Sequence, residues 1–163
     1  MSSQASALLA AILAVAPAAS AQDVDYEKFV LENGMTVILH EDRRLPQATV
    51  NIWYHVGSKD EVAGRSGFAH LFEHLMFMGT DRVPASGFDD IMEAGGGHND
   101  ASTSTARTNY FDIGPAEFLP TLRWLEAGRI QDLGRVMTQE KLDKQREVVR
   151  NDRRQTAENR PYG

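Results

Sequence analysis

The sequence predicts an α+β fold in which a mixed, mainly antiparallel sheet packs against helices. Three observations lead to this prediction. An Asn-Gly pair separates two apolar stretches near the start, an alternating segment follows it, and several later segments have helical length and composition. The 163 residues are 42% hydrophobic and 25% charged, which is the composition of an ordinary globular protein.

Three segments are predicted to form the strands. Residues 29–39 contain Asn33-Gly34, the strongest short-range indication of a β-hairpin. Residues 49–56 place β-branched and aromatic side chains on alternate positions, which predicts a third strand. Residues 101–111 are rich in Ser and Thr and end in Tyr110-Phe111, so they are predicted to form one further strand.

Four segments are predicted to be helices from their length, their apolar spacing and the residues that end them. They cover residues 66–78, 87–94, 115–130 and 138–157. The first is followed by Gly79 and the second by Gly95-Gly96-Gly97, and glycine is common directly after a helix.

The first 21 residues differ in composition from the rest of the chain. Residues 7–16 form an apolar run that is too short to span a bilayer, and Ala19-Ser20-Ala21 is the small-residue pattern of a signal-peptidase site. We therefore predict a signal peptide over residues 1–21 and a periplasmic or secreted protein, with no membrane association after cleavage. The alternative is a disordered Ala-rich leader, because no Lys or Arg precedes the apolar run.

Charge and cysteine content limit the possible functions. Lys plus Arg total 17 against 23 Asp plus Glu, a net charge of −6, so the chain lacks the basic character expected of a nucleic-acid-binding protein. The absence of cysteine excludes disulfides and thiolate metal ligands. A transition metal would therefore be bound by histidine and carboxylate side chains.

The first predicted helix carries a metal-binding pattern. His70 and His74 are four residues apart, so both imidazoles lie on one helix face, and Glu73 lies beside them. These are the only ionisable residues in segment 66–79, which is otherwise apolar nearly all round and is predicted to be buried. Burial of three such groups without a partner is costly, and one metal ion would satisfy them. The alternative is a pair of core histidines bonded to backbone groups.

A catalytic zinc site usually has three protein ligands, so a third is expected on another helix. The last predicted helix offers Glu140, Asp143, Glu147, Asp152 and Glu158. Its apolar stripe consists of Leu142, Gln145 and Val149. Asp152 continues that spacing, whereas Glu147 points to nearly the opposite side, so helical geometry favours Asp152. The alternative is a surface ion pair between Asp152 and a neighbouring arginine.

The segment His70-Leu71-Phe72-Glu73-His74-Leu75-Met76-Phe77-Met78-Gly79-Thr80 resembles the zinc-binding helix of the pitrilysin/insulinase family, the inverzincins with an HxxEH motif. Other segments resemble blocks of that family in the same order: 31–35, 56–58, 96–103, 107–111 and 145–155. The resemblance covers nearly everything after the leader. It implies that residues 22–163 are the front part of an inverzincin N-terminal domain, and that this peptidase domain is incomplete.

The resemblance also implies an activity and the residues that perform it. The protein would be a zinc-dependent endopeptidase that hydrolyses peptide bonds in extended or unfolded polypeptides. His70, His74 and Asp152 would bind one Zn²⁺ per chain, and Glu73 would be the general base that activates the zinc-bound water. Gln145 would hydrogen-bond an imidazole from behind. The peptide substrate would pair with an edge strand made of Asn99, Asp100, Ala101, Ser102 and Thr103.

Three residues depart from the family's pattern. Asp152 stands where Glu is usual, Gln145 where an acid is frequent, and Asp100 where Asn is common. The shorter carboxylate of Asp152 leaves a second hypothesis open: a catalytically weak or inactive partner subunit of a heteromeric peptidase that binds peptide. In either case the resemblance implies that a homo- or hetero-dimer partner could complete the substrate chamber. A zinc-stabilised scaffold is disfavoured, because three ligands beside an acid suit an open site.

Overall fold

The computed structural model describes residues 24–159, so the predicted signal peptide lies outside the described residues. The elements, in chain order, are β1 (Glu27–Val30), β2 (Thr36–Leu39), β3 (Gln47–Tyr54), α1 (Phe68–Leu75), α2 (Gly87–Ala94), β4 (His98–Thr103), β5 (Thr108–Pro115), α3 (Leu119–Val136) and α4 (Gln139–Arg153). All strand pairs are antiparallel, and the predicted α+β class is confirmed. None of the helices in this range has the length and apolar character of a membrane span.

The first compact unit ends at Arg44 and contains the β1–β2 hairpin. Its turn is closed by hydrogen bonds from Leu31 N–H to the Met35 carbonyl and from Gly34 N–H to the Leu31 carbonyl, each 2.9 Å long. Gly34 has a φ of +86°, a conformation that residues with a Cβ adopt only at a steric cost. The predicted hairpin at Asn33-Gly34 is therefore confirmed.

The second compact unit begins at Leu45 and contains a three-stranded sheet in the order β3-β5-β4. Strand β3 begins and ends two residues earlier than the predicted segment 49–56. Thr103 of β4 lies opposite Thr108 of β5, next to the turn that joins them. Within the described range, β5 is the central strand and β4 has one free edge.

The single strand predicted over residues 101–111 is wrong. The chain turns in the middle of this segment, where the Ser104 N–H donates a 2.8 Å hydrogen bond to the Arg107 carbonyl. The two central turn residues, Thr105 and Ala106, are not the Gly, Asn or Asp that mark most tight hairpins. Strand-favouring residues run through the turn, which is why local composition did not reveal it.

Helices α2 and α4 match the prediction best. Helix α2 has the predicted bounds and is followed by Gly95, whose N–H bonds to the Ile91 carbonyl at 3.0 Å. Helix α4 begins after Thr138, whose hydroxyl accepts a 3.2 Å hydrogen bond from the Lys141 N–H as an N-cap. It ends at Arg153 and is followed by a π turn at Arg154–Glu158, so the regular helix is shorter than the predicted segment 138–157.

Helix α3 lies four residues later than predicted at its start and six later at its end, because Pro115 still belongs to β5 and a 3₁₀ turn at Ala116–Phe118 follows. It packs on β3 and β5. The buried core of this unit lies between α2, α3 and the sheet, and it consists of Val83, Phe88, Met92, Leu122 and Leu125.

Helix α1 is shorter and more exposed than predicted. Ala69 and Leu75 are buried, but Phe68 and Phe72 are 49% and 52% exposed. The prediction of a helix buried all round is therefore wrong for the described residues. Only one side of α1 is covered, because its neighbours β4, β5 and α4 leave the side of Phe68 and Phe72 open.

Candidate metal centre

The start of α1 is positioned by a residue outside the helix. Gly67 occupies the N-cap position with a φ of +95° and has no side chain to cap the first turn. The Glu61 carboxylate does this instead, since its two oxygens accept 2.8 Å hydrogen bonds from the Gly67 and Ala69 N–H groups. These bonds, first that from Ala69 and then that from Gly67, lower the pKa of Glu61 below its usual value. Sequence analysis missed Glu61, because it lies six residues before the N-cap Gly67.

The loop that carries Glu61 is itself attached to the β4–β5 turn. The Ser58 and Lys59 N–H groups donate to the carbonyls of Ser104 and Thr105 at 3.2 and 2.9 Å. Gly57 makes this approach possible, because a Cβ at that position would collide with the same two carbonyl groups. The N-terminus of α1 and the end of the edge strand are therefore connected through one loop.

The predicted metal ligands come together where α1 meets α4. The Nε2 atoms of His70 and His74 are 3.2 Å apart, and His74 Nε2 is 3.4 Å from Asp152 Oδ2. One ligand atom from each of the three residues lies within 4.8 Å of the others. In the part of the chain that the structure describes, this is the only group of three or more such residues with that spacing.

The donor set fits a zinc ion. Two ligand atoms about 2.0–2.1 Å from a tetrahedral zinc are about 3.3 Å apart, and two of the observed separations are 3.2 and 3.4 Å. Two imidazoles and one carboxylate are ligands that zinc accepts, and three protein ligands leave a coordination position open. The Asp152 side chain is 37% exposed, so solvent reaches this ligand.

The other acids of α4 do not join the cluster. Glu147 pairs with Arg150 at 2.8 Å and Asp143 with Arg146 at 3.1 Å, and all four side chains are more than half exposed. The stripe of Leu142, Gln145 and Val149 is buried or half-buried, and Asp152 continues it. Helical periodicity therefore places Asp152, rather than Glu147, toward α1.

Glu73 points to the edge strand rather than to the histidines. The Thr103 hydroxyl of β4 donates a short hydrogen bond to Glu73 Oε2. Glu73 and His74 line a cavity of about 280 Å³ together with residues of α4, β4 and the segment that follows α1. The carboxylate thus lies beside the candidate metal site and at the free edge of the sheet.

Gln145 lines the same cavity from α4 and is 6% exposed. Its Nε2 donates a 3.1 Å hydrogen bond to Met78 Sδ. The family resemblance implied a hydrogen bond from Gln145 to an imidazole. Among the described residues, Gln145 bonds to Met78 instead. In this structure the side chain packs the segment that follows α1 against α4.

The five residues of the predicted substrate strand all lie in β4. The pair Ser104–Arg107 is hydrogen-bonded across the turn, and bonded and non-bonded pairs alternate along an antiparallel ladder. Thr103, Ala101 and Asn99 therefore direct their backbone N–H and C=O groups to the free edge. Their side chains share one face of the sheet, the face on which α1 lies.

A buried charged cluster behind α1 was not found by sequence analysis. Arg129 of α3 is 1% exposed, and its Nη1 lies 3.0 Å from Glu126 Oε1. Asp112 of β5 is equally buried, and the carboxylate oxygens of both acids lack aligned hydrogen bonds within the described residues. Burial raises the pKa of Glu126 to about 8; Arg129 acts against this rise and Asp112 adds to it. Burial likewise raises the pKa of Asp112.

The same arginine contacts α1 through aromatic rings. Its guanidinium carbon lies 4.6, 4.2 and 5.0 Å from the ring centroids of Phe77, Phe88 and Tyr110. Phe77 lies two residues after the end of α1, and the Tyr110 hydroxyl lies 3.5 Å from the Phe72 carbonyl. The only pattern that could have indicated this cluster is the Glu126–Arg129 spacing of three residues on a helix.

Comparison with known proteins agrees with this geometry. The chain is 33% identical over 139 residues to the zinc protease PqqE of Helicobacter pylori, covering 85% of this chain and 31% of that protein. It is 40% identical over 81 residues to the mitochondrial-processing peptidase subunit beta of Blastocladiella emersonii, covering 50% of this chain and 17% of the relative. The crystal structure of a protease from Helicobacter pylori superposes with a TM-score of 0.81 at 34% identity, covering 86% of this chain and 33% of that one.

The chain thus spans less than a third of the length of these two relatives. The profile of the family described as Insulinase (Peptidase family M16) matches residues 36–161, which includes every residue of the candidate metal centre. The α+β fold, the HxxEH helix and this match agree, and the chain belongs to the insulinase family, peptidase family M16.

Proposed function

We propose that the protein is a zinc-dependent endopeptidase that hydrolyses peptide bonds in extended or unfolded polypeptides. The observation that carries this proposal is the position of His70, His74 and Asp152 next to the Glu73 carboxylate at a free strand edge. The proposed cofactor is one Zn²⁺ per chain. The proposed location, periplasmic or extracellular, rests on the composition of residues 1–21.

The residues divide the chemical task between them. His70, His74 and Asp152 would bind the metal, which when bound acts as a Lewis acid and lowers the pKa of water. Glu73 accepts the proton of the attacking water and returns it to the departing amine. The hydrogen bond from Thr103 fixes one oxygen of the Glu73 carboxylate, and the other oxygen has no hydrogen-bond partner among the described residues.

The edge of β4 would hold the substrate. An extended peptide can pair with the backbone groups of Asn99, Ala101 and Thr103, and this places its backbone next to Glu73. Recognition through backbone groups depends little on side chains, but it requires a segment free of its own secondary structure. Unfolded polypeptides meet that requirement.

The test measures hydrolysis of an internally quenched, unstructured peptide by zinc-loaded protein at its full natural length. Glu73→Gln should lower kcat by about 10²-fold or more, because it removes the proton acceptor, while zinc content per chain stays unchanged. His70→Ala should instead lower the zinc content. Equal turnover by wild type and Glu73→Gln would refute the assigned role, and wild type that cannot be loaded with zinc would refute the proposal.

A second candidate is a weak or inactive partner subunit that binds peptide and helps to enclose it. It is favoured by Asp152, whose short carboxylate is 37% exposed, and by similarity to a protein named as a peptidase subunit. Asp152→Glu separates the two candidates. A rise in kcat/KM of about tenfold or more would identify the native chain as an impaired subunit, and an unchanged value would identify it as the enzyme. A homo- or hetero-dimer partner is proposed in both cases.

A further inference from the structure

The edge strand and the proposed base meet at the side chain of Thr103. Its hydroxyl donates a short hydrogen bond to Glu73 Oε2, and both side chains are half-buried on the face of the sheet where α1 lies. The backbone N–H and C=O groups of the same threonine point to the free edge of β4. Thr103 therefore faces the base with its side chain and the proposed substrate position with its backbone.

The direction of this hydrogen bond is determined by a second threonine. Thr108 lies opposite Thr103 on β5, is 5% exposed, and donates its hydroxyl proton to the Val56 carbonyl at 3.0 Å. The two hydroxyl oxygens are 3.4 Å apart, and Thr108 has no second proton to donate across that distance. The single hydroxyl proton of Thr103 has a short contact with the carboxylate and a long one with Thr108, so it points to Glu73.

We propose that Thr103 is a positioning residue that orients the Glu73 carboxylate for proton transfer. The hydrogen bond occupies Oε2 and leaves Oε1 for the proton of the attacking water. The terminal torsion of a glutamate has a broad energy profile, so without this bond the free oxygen is no longer held in one direction. The strand residue that pairs with substrate thus also holds the base. The inference rests on the proposed function, because it takes Glu73 as the base.

The test compares substitutions of Thr103 in zinc-loaded protein at its full natural length. Thr103→Val keeps the β-branched shape and the backbone groups of the edge but has no proton to donate. Thr103→Ala removes the hydroxyl without the risk of overpacking, and Thr103→Ser keeps the hydroxyl. Thr105→Val is the matched control, because Thr105 is exposed in the turn between β4 and β5 and does not line the cavity beside Glu73.

Three measurements separate orientation of the base from a structural role. Cleavage of a quenched peptide gives kcat and KM, metal analysis gives zinc per chain, and anisotropy in the Glu73→Gln background gives peptide affinity. Loss of the hydroxyl should lower kcat by about tenfold to 10²-fold, the cost of a reacting group displaced by about 1 Å. Serine should restore kcat to within about threefold of wild type, because it supplies the same donor. Zinc content, peptide affinity and the control variant should not change.

The double variant provides a further check, since Thr103→Val should not lower the residual rate of Glu73→Gln, in which the base is already absent. Unchanged kcat in Thr103→Val and Thr103→Ala would overturn the inference and leave the peptidase function standing. A fall in kcat that serine does not reverse, or one that a loss of zinc or of peptide affinity explains, would overturn it as well, because either result indicates a structural role. Absence of cleavage by the wild type would instead refute the proposed function.

Discussion

Replacement of Arg129 by methionine tests the role of the buried cluster behind the metal helix. Methionine has a similar length and fills much of the same space, but it carries no charge. The change leaves the carboxyl groups of Asp112 and Glu126 in a site where Arg129 was the cation closest to Glu126, 3.0 Å away. Arg129 is 1% exposed and Glu126 3% exposed, so water cannot replace the lost partner.

The expected cost follows from that burial. Where the carboxyl groups are ionised, removing one partner of a buried ion pair costs about 3–5 kcal/mol, because the remaining charge is left uncompensated. The three ring contacts of the guanidinium add to this loss, at about 0.5–2 kcal/mol for each desolvated cation–π contact. Van der Waals contacts of methionine with Phe77, Phe88 and Tyr110 offset part of it. A net loss of about 3–5 kcal/mol is a large fraction of the roughly 5–15 kcal/mol by which a typical domain is stable.

Urea unfolding of wild type and Arg129→Met at pH 5 and pH 8 measures this loss. It should be larger at pH 8, where the orphaned carboxyl groups have a stronger tendency to ionise. Adding Asp112→Asn and Glu126→Gln to Arg129→Met should restore at least half of the stability, because no buried charge then remains unpaired. A loss below about 1 kcal/mol, or one that the triple variant does not reduce, would refute the view that paired charge holds this cluster.

Two further predictions concern the pH dependence of stability. Because burial raises the pKa of Glu126 to about 8 from the ordinary 4.5, the folded protein retains a proton that the unfolded chain releases; this contribution to stability therefore falls as the pH rises from about 4.5 to about 8. Glu126→Gln should flatten that fall in urea titrations between pH 5 and 9, and equal slopes would contradict the assignment. The pKa of Glu61 is lowered, so its contribution is present above the ordinary value of 4.5 and is lost as the pH falls through the lowered value. Glu61→Gln should make thermal unfolding less sensitive to pH between 6 and 3, and an unchanged acid response would show that the carboxylate does not stabilise α1 as a cap.

Short-range periodicity predicted the parts of the site that lie within one element. The spacing of His70 and His74 and the stripe that leads to Asp152 are properties of a single helix, and helical geometry determines which side chains share a face. The structure brings these three residues together where α1 meets α4. Proximity between the two helices, by contrast, followed only from the expectation that a metal needs a third ligand and from the family resemblance.

Features that depend on distant segments could not be predicted in the same way. The β4–β5 turn has no glycine or asparagine, and its position is determined by pairing with β5 and by the loop at Ser58 and Lys59. The cluster around Arg129 joins residues of β5, α3 and the end of α1. No local pattern relates those elements, so a buried arginine is indistinguishable in sequence from one on a solvated helix face. The exposure of Phe72 likewise depends on which distant segments pack against α1, and the sequence of the helix alone does not show this.

Helix α1 has eight residues, which is too short for an isolated helix to be stable in water, so its position must come from contacts with the rest of the unit. Glu61 holds its first turn, Tyr110 reaches the carbonyl of Phe72, and Thr103 holds Glu73. The base is thus tied to the sheet edge where substrate would bind, while the imidazoles face Asp152 on α4. Metal affinity and proton transfer therefore depend on different contacts of the same helix. Perturbation of the α1–α4 contact should weaken metal binding first, whereas perturbation of β4 should change turnover at constant metal content.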